Sequence, residues 1–445
     1  MWRRILGDLL LWQKFAILGA LGLLLVGPPL YFFVSETNKG IDFSLTESKG
    51  TKPAEAALRL LQLVQQHRGL SAAFLGSGEL AGERAAKETQ AEQTLAEVSA
   101  ILGSEDRTTT PFLARVKSDW TQLAKSVSTR GSSVLESYDR HTALCHQILI
   151  LIESIADRYG LALDPDADTF YLMRAALFET AGLAEALGQV RAKGASLLAT
   201  KSIDAGSRAT MYGLLAKAAL VSDQAARSYA KIYDVNPAMK PRLEAAAEAG
   251  ASLSKQAQIL ARDKIASQEV LSYSAPEYIA FLTRAIDAQY QTNVATMEQL
   301  KALIAARVSK QRTTRNVLVG IVGFIAVVAV LIGWAVATSV LQPISRALFV
   351  AKAVAEGDLT MSITHRGQSE TAQLLASMSM MQRRLGELVQ QIKGASESIN
   401  VASKEIASGS NDLSRRTEIQ ASNLEETASS MEELATTVRQ NAQNA

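Results

Sequence analysis

Residues 15–34 read FAILGALGLLLVGPPLYFFV, and residues 317–337 read VLVGIVGFIAVVAVLIGWAVA. Neither run holds a charge, and each has about the ~20 residues an α-helix needs to cross ~30 Å of hydrocarbon. Both are expected to be transmembrane helices. The first is too long for the apolar core of an ordinary signal peptide and lacks a small-x-small cleavage site, so it is read as a retained anchor. Trp334 falls near one end of the second, where an indole sits well at the interface. Arg3, Arg4 and Lys14 flank the first run and place residues 1–14 in the cytoplasm by the positive-inside bias. Two spans then put residues 35–316 outside and return the remainder to the cytoplasm. Lys301, Arg307, Lys310, Arg312 and Arg315 oppose this orientation against only Arg346 and Lys352 on the other side. Long loops translocate largely regardless of their charge, so the orientation is kept. The expected location is a membrane crossed twice, with residues 35–316 on its outer side.

Composition sets the fold class. The chain of 445 residues is 48% hydrophobic and 20% charged, with a formal net charge of +2, which excludes a disordered tail and a basic nucleic-acid binder. Aromatic residues are only 6% and prolines nine, whereas Ala, Leu, Glu, Gln, Ser and Arg dominate. Such a chain favours long helices, and an all-α fold is expected. One cysteine and four histidines supply neither a disulfide framework nor a zinc site, so no metal and no cofactor are expected.

Past the second span, Ile344, Leu348, Ala351 and Ala355 recur at helical spacing after Pro343, which reads as a helix start. Gly357 reads as a stop, residues 360–369 as an extended connector, and a second seam begins at Leu374. Two short helices joined by that connector are expected. Residues 338–388 resemble a HAMP domain through Pro343, the run Gly357-Asp358-Leu359, and Glu370 near the start of the second helix. The resemblance implies a parallel four-helix bundle formed by two chains.

From Leu374 the apolar or small positions step 4-3 through Met378, Met381, Leu385, Leu388, Ile392, Ala395, Ile399, Ala402, Ile406, Gly409 and Leu413. This is a heptad seam. Steps of four through Thr417 to Ala421 form a stutter before the seam resumes at Leu424, Ala428, Met431, Ala435 and Val438. A rod over residues 374–445 would be about 108 Å long at ~1.5 Å per residue. Within it Ala421-Ser422-Asn423-Leu424-Glu425-Glu426 recurs seven residues later as Ala428-Ser429-Ser430-Met431-Glu432-Glu433. Residues 389–445 resemble the first methylation helix of methyl-accepting chemotaxis proteins. That resemblance implies reversible methyl esterification of Glu426 and Glu433 by a methyltransferase and a methylesterase. The preceding family site falls on Ile419, which cannot be methylated, and Gln420 beside it is out of phase. The family continues into a hairpin tip that contacts a histidine kinase and a coupling protein. The present sequence reaches only Ala445, within the first methylation helix, so those partners are implied only for a longer chain.

Residues 35–316 read as helices over 53–76, 80–103, 111–160, 167–201, 204–234, 237–265 and 275–316, broken at glycine, proline and polar clusters. An antiparallel bundle follows. The last helix is expected to run on into the second span, since no glycine or proline intervenes between Pro276 and Gly320. Gln65-Gln66-His67-Arg68-Gly69-Leu70-Ser71 is similar to the arginine-glycine-x-serine stretch of nitrate- and nitrite-sensing helical domains, with His67 where an acidic residue often stands. The similarity implies a ligand at Arg68 and Ser71. Gln189-Val190-Arg191 echoes the pattern, and two facing arginines can hold a planar anion through their fixed donor forks. Asp164-x-Asp166-x-Asp168 fails the calcium-loop pattern at Thr169 and Ala175 and reads as a helix cap. His141 and Cys145, four apart on one helix, read as packing residues in preference to a metal pair. Phe170, Tyr171, Phe178 and Tyr212 are candidate pocket residues.

The function expected from these readings is that of a homodimeric receptor, not an enzyme. It would sense a small periplasmic solute and signal through HAMP to the methylated coiled coil that controls chemotaxis. Two alternatives remain open. One is a HAMP-coupled sensor kinase or cyclase without its catalytic domain, against which stands the lack of any histidine after His365. The other is a receptor lacking the tip, binding ligand without driving kinase. Ligand identity and the sign of the response are not legible.

Overall fold

The computed structural model describes residues 7–103, 108–364 and 366–444; Arg3, Arg4, His365 and Ala445 lie outside them. The described residues form helices joined by short turns and one longer connector, without a strand. They form two units, one spanning Gly27–Ile321 and one combining the residues up to Val26 with those from Val322 onward.

Helix α1 runs unbroken over Leu11–Ser77, so the first apolar run and the first sensor helix are one element. Pro28, Pro29 and Pro53 lie inside it, each removing one backbone donor without ending the helix. Helix α2 is Ala81–Leu102 and α3 is Thr110–Ser128. The single helix expected over 111–160 is in fact two, with α4 at Val134–Arg158. The break has a local cause. Arg130 adopts φ +53°, and Ser133 caps α4 by accepting from the Glu136 N–H, so residues 129–133 turn the chain back.

Helix α5 (Ala167–Met173) passes through a π-helical segment, Arg174–Thr180, into α6 (Ala181–Thr200). Helix α7 is Ala205–Val235, and α8 is Lys240–Ala261, followed by a second π segment at Arg262–Ala266. Helix α9 spans Ala275–Ala355, 81 residues, and α10 spans Glu370–Gln443. Both α1 and α9 contain a stretch long and apolar enough to cross a membrane, with mean hydropathy 2.1 and 2.8 and none of either stretch buried.

In the first unit, one core gathers around Leu60, Leu61, Trp120, Ile148 and Ile152, and a second around Leu187, Met211, Tyr278 and Leu282. Helices α1 and α9 pack antiparallel in fixed register. Asn38 faces Arg315, Glu47 faces Arg307, Glu55 faces Lys301, and Gln65 faces Tyr290. Each advance along α1 is matched by a near-equal retreat along α9, over about 40 Å at ~1.5 Å per residue.

In the second unit, Pro343 is interior to α9 and does not begin a helix, a correction to its sequence reading. A lone proline costs one rung of the ladder, and long runs of good helix formers on both sides carry the helix past it. The helix stops at Gly357, which takes φ +88° while the Asp358 and Gly357 N–H groups bond back to Ala353 and Val354, a Schellman closure that favours glycine. Asp358 accepts from the N–H and hydroxyl of Thr360, and Ser369 caps α10. The Gln382 amide donates to the carbonyls of Leu359 and Met361, tying the connector to α10. The two helices flanking the connector are thus long elements and not the short pair expected.

Candidate functional site

Gln65 and Arg68 share the face of α1 that meets α6, which presents Glu185, Gly188, Gln189 and Arg191 at helical spacing. Arg68 is 2% exposed. Its Nη1 donates to Glu185 Oε1 at 2.8 Å and its Nη2 to Oε2 at 3.2 Å, a fork-to-fork pair. Gln189 donates to Oε1 and Gln65 to Oε2, each at 2.8 Å, so both carboxylate oxygens are doubly bonded. Tyr290 of α9 donates to Gln65 at 2.7 Å. Thr142 of α4 accepts from Arg68 Nη1 at 3.0 Å, and the Tyr138 ring lies 5.6 Å from the guanidinium. Burial draws the Arg68 pKa down, but the Glu185 charge and hydrogen bond, with Cys145 and Tyr138, together outweigh it and the net direction is up. Arg68 Nε alone is buried without a partner.

Arg191 differs in kind. Its Nη1 donates to Thr283 at 2.8 Å, and it makes no ion pair among the described residues. Burial and the neighbouring Arg68 charge lower its pKa to about 10, against the weaker pull of Asp287. A Cβ at Gly69 would stand 3.4 Å from Arg191 Nη2, and one at Gly188 would stand 2.7 Å from Arg68 Nη2. Each arginine therefore lies against a glycine on the opposite helix. The centre holds two guanidiniums and one hydrogen-bonded carboxylate.

A second polar layer adjoins it. His141 Nδ1 lies 2.6 Å from the Ser137 carbonyl, His67 Nδ1 2.8 Å from His141 Nε2, and Arg84 Nη1 3.3 Å from His67 Nε2. One direction of donation satisfies all three contacts: Arg84 to His67, His67 to His141, His141 to the carbonyl. Both imidazoles are neutral in this arrangement. Burial lowers each pKa to about 3, helped at His67 by His141 and Arg84, and opposed at His141 by its bond to Ser137. Cys145 is fully buried, and its thiol pKa is raised by burial and by Glu185.

The sequence-derived residues divide. Arg68 and Arg191 come together in one centre, whereas the Ser71 hydroxyl faces His67 Nδ1 at 3.3 Å, in the histidine layer. Glu185, Gln65, Gln189 and Thr142 were missed. Their only signal was Glu185 itself, the one polar side chain among the small and apolar residues of 181–188. Asp164 and Asp166 correct the capping reading: Asp166 makes no side-chain cap bond, and both carboxylates hold Arg307 of α9. Two carboxylates accepting from one guanidinium outweigh the gain from one capped N–H. Phe170 and Phe178 line a cavity, Tyr171 receives Lys231, and Tyr212 is exposed. Glu426 and Glu433 lie exposed on α10, whose seam residues Ile399, Ile406, Leu424 and Met431 are also exposed.

Neither a family model nor a curated protein matches this sequence. Among solved structures the chain is similar to one described as the structure of the NasR transcription antiterminator. The two share 16% identity over 77% of this chain and 91% of the other, with a TM-score of 0.50. At that identity the likeness concerns the helical fold.

Proposed function

We propose that this chain is a membrane-spanning receptor that takes up a small planar anion beside Arg191 and passes the event along α1 and α9. The observation that carries the reading is Arg191, a part-buried cation set beside the Arg68–Glu185 pair, whose neighbouring carboxylate Asp287 acts on it from a distance without an ion pair among the described residues. An anion accepting from Arg191 would supply the direct partner it lacks. The similarity of the Arg68 stretch to nitrate- and nitrite-sensing domains names nitrate or nitrite as first probes. The antiparallel ladder from Gln65–Tyr290 to Asn38–Arg315 supports transmission, because it joins the arginine centre to both apolar stretches.

Beyond the membrane we assign the HAMP role to residues 338–388 and methylation to Glu426 and Glu433. The exposed apolar seam of α10 supports a parallel homodimer, since heptad side chains left in water favour a second copy. Methylation deletes a carboxylate charge on each helix and relieves like-charge repulsion of ~0.2–0.5 kcal/mol per pair, summed over the dimer.

Titration calorimetry with nitrate and nitrite on the full chain in lipid nanodiscs tests the sensor. Saturable binding, weakened at least tenfold in Arg191→Ala at unchanged helix content, supports it. Binding that survives Arg191→Ala overturns it. Transfer of labelled methyl groups from S-adenosylmethionine by a chemotaxis methyltransferase tests the rod, with label lost in Glu426→Ala plus Glu433→Ala as the supporting result.

A further inference from the structure

The turn between α4 and α5 is laid directly on α1. Gly160 takes φ +75° and backs onto the Phe43 ring, where a Cβ would stand 2.9 Å from it, and Gly50 of α1 leaves room for the side chains of Tyr159 and Leu161. The turn ends in two aspartates that also meet α9. Arg307 Nη2 donates to Asp164 Oδ1 at 2.8 Å, Arg307 Nε lies 2.7 Å from Asp166 Oδ2, and Arg307 Nη1 donates to Glu47 Oε2 of α1 at 2.9 Å. The Thr169 hydroxyl of α5 accepts from Arg307 and donates to the Asp166 carbonyl. Glu47 therefore faces Asp164 and Asp166 from the turn and Arg307 from α9, with Tyr159 one helical turn along α1 against Gly50.

Two oxygens of this centre are left over. Glu47 is wholly buried and the Asp164 side chain is 1% exposed. Glu47 Oε1 and Asp164 Oδ2 are both buried, and neither is met by a donor from elsewhere in the protein. The two carboxyl groups nonetheless lie within hydrogen-bond reach of each other. As bare ions they cannot bond, because each brings lone pairs and neither brings a hydrogen. One proton makes one group the donor and the other its acceptor, and satisfies both oxygens at once. Neither oxygen has surface open to solvent, so nothing larger reaches them, and no group of three His, Cys, Asp or Glu side chains able to hold a metal ion exists among the described residues. One guanidinium serves three carboxylates here, and of these only Asp166, 55% exposed, is well solvated. Burial and the Asp164 charge push Glu47 up to about 8 against the pull of Arg307, in line with that geometry.

We propose that Glu47 and Asp164 hold one proton in common, between Oε1 and Oδ2, and that its loss in alkaline medium lifts the turn 159–166 off α1, a pH-sensitive switch built into the α1–α9 pair. With the proton gone, two charges face each other where no water screens them, and parting the turn from α1 relieves the repulsion. The proton belongs to the pair, so its midpoint is a property of both groups. Arg307 is bonded to both sides, and the parting redistributes its contacts. Further along the same helix the apolar stretch begins at Val317, ten residues or about 15 Å from Arg307 at ~1.5 Å per residue. Proton binding at such a centre is a local electrostatic event that biases a larger element. The switch needs no ligand at Arg191 and stands apart from the anion reading.

Infrared difference spectroscopy of the full chain in lipid nanodiscs, without nitrate or nitrite, tests the shared proton from pH 6 to 10. A protonated-carboxyl band present at pH 6 should vanish with a midpoint near 8 and be missing from Glu47→Gln. Asp164→Asn removes the repelling charge and should move the midpoint down by at least one unit. Hydrogen exchange of the amides of 159–166, corrected for the intrinsic effect of pH, should speed at least tenfold across the same midpoint. It should stay level in Glu47→Gln, whose amide donates to Asp164 at every pH. Three results each overturn the proposal: identical spectra for the wild type and Glu47→Gln, corrected exchange of the turn that is equal at pH 6 and 10, or a midpoint that follows the sodium concentration and so assigns the site to a metal cation. If Glu47→Gln fails to fold, Asp164→Asn decides, and an unmoved midpoint overturns the proposal.

Discussion

The two ends of the α1–α9 pair each bury an arginine against glutamate, and they are balanced differently. At the upper end Arg68 meets one carboxylate, Glu185, which two glutamines complete. At the lower end Arg307 meets three: Glu47 at 2.9 Å, Asp164 at 2.8 Å and Asp166 at 2.7 Å. Glu47 is wholly buried and Asp164 nearly so. Burial first, then the Asp164 charge, pushes Glu47 up to about 8 against the pull of Arg307. A proton held by Glu47 lets it bond to Asp164, where two bare carboxylates would repel. An arginine matched to one fully bonded carboxylate thus gives a fixed pair, and an excess of carboxylates gives a centre that titrates.

The largest test of this contrast removes the balance above. Glu185→Ala leaves Arg68 buried and unpaired and should cost ~3–5 kcal/mol, read as loss of denaturant resistance of the full chain. A cost below ~1 kcal/mol would mean that water or a rotated side chain replaces the carboxylate. Gly188→Ala comes next, because its new Cβ would stand 2.7 Å from Arg68 Nη2. Displacing the guanidinium should cost ~1–3 kcal/mol and speed hydrogen exchange in α6.

The third test reads a slope. Glu47 binds its proton more tightly folded than unfolded, so its contribution is full below 4.5 and is lost as pH rises through about 8. His67 and His141 have depressed values near 3, so their contribution is full above 6.5 and is lost as pH falls toward 3. Between 4.5 and 6.5 two histidines outweigh one glutamate, and above 6.5 only Glu47 titrates. These three groups place the optimum near pH 6.5. Glu47→Gln should flatten the alkaline flank and leave the acid flank intact, measured by hydrogen exchange of peptides covering 41–60 from pH 5 to 9. An unchanged alkaline flank would assign it to other groups. The smallest effect belongs to Lys301→Ala between the two ends. Its ion pair with Glu55 is partly exposed on both sides, and its loss should shift stability by less than ~1 kcal/mol.

The two long apolar runs and the helical class were legible because hydropathy and composition are local properties. The turn at residues 129–133 was legible too, as Ser133 and Glu136 stand at capping-box spacing, but a long apolar periodicity spoke louder. Pro343 misled because its effect depends on the strength of the helix around it. In the site, the glycine beside Arg68 was visible in sequence, and its purpose was not. Glu185 lies 117 residues from Arg68, and bundle topology alone brings them together. The resemblance implied Ser71 beside Arg68 at a ligand, yet Ser71 stands one turn past His67 and its hydroxyl meets that imidazole.

The register of α1 against α9 limits the kind of motion available to the molecule. Four unlike pairs, an amide with a phenol, two acids with bases and an amide with a guanidinium, lock like teeth of different cut. Slippage by one residue would mismatch every tooth at once. Displacements well under the ~1.5 Å residue rise keep all four engaged. Whatever travels along this pair does so as a small tilt or strain of a stiff beam, and its amplitude is capped by the give in four side chains.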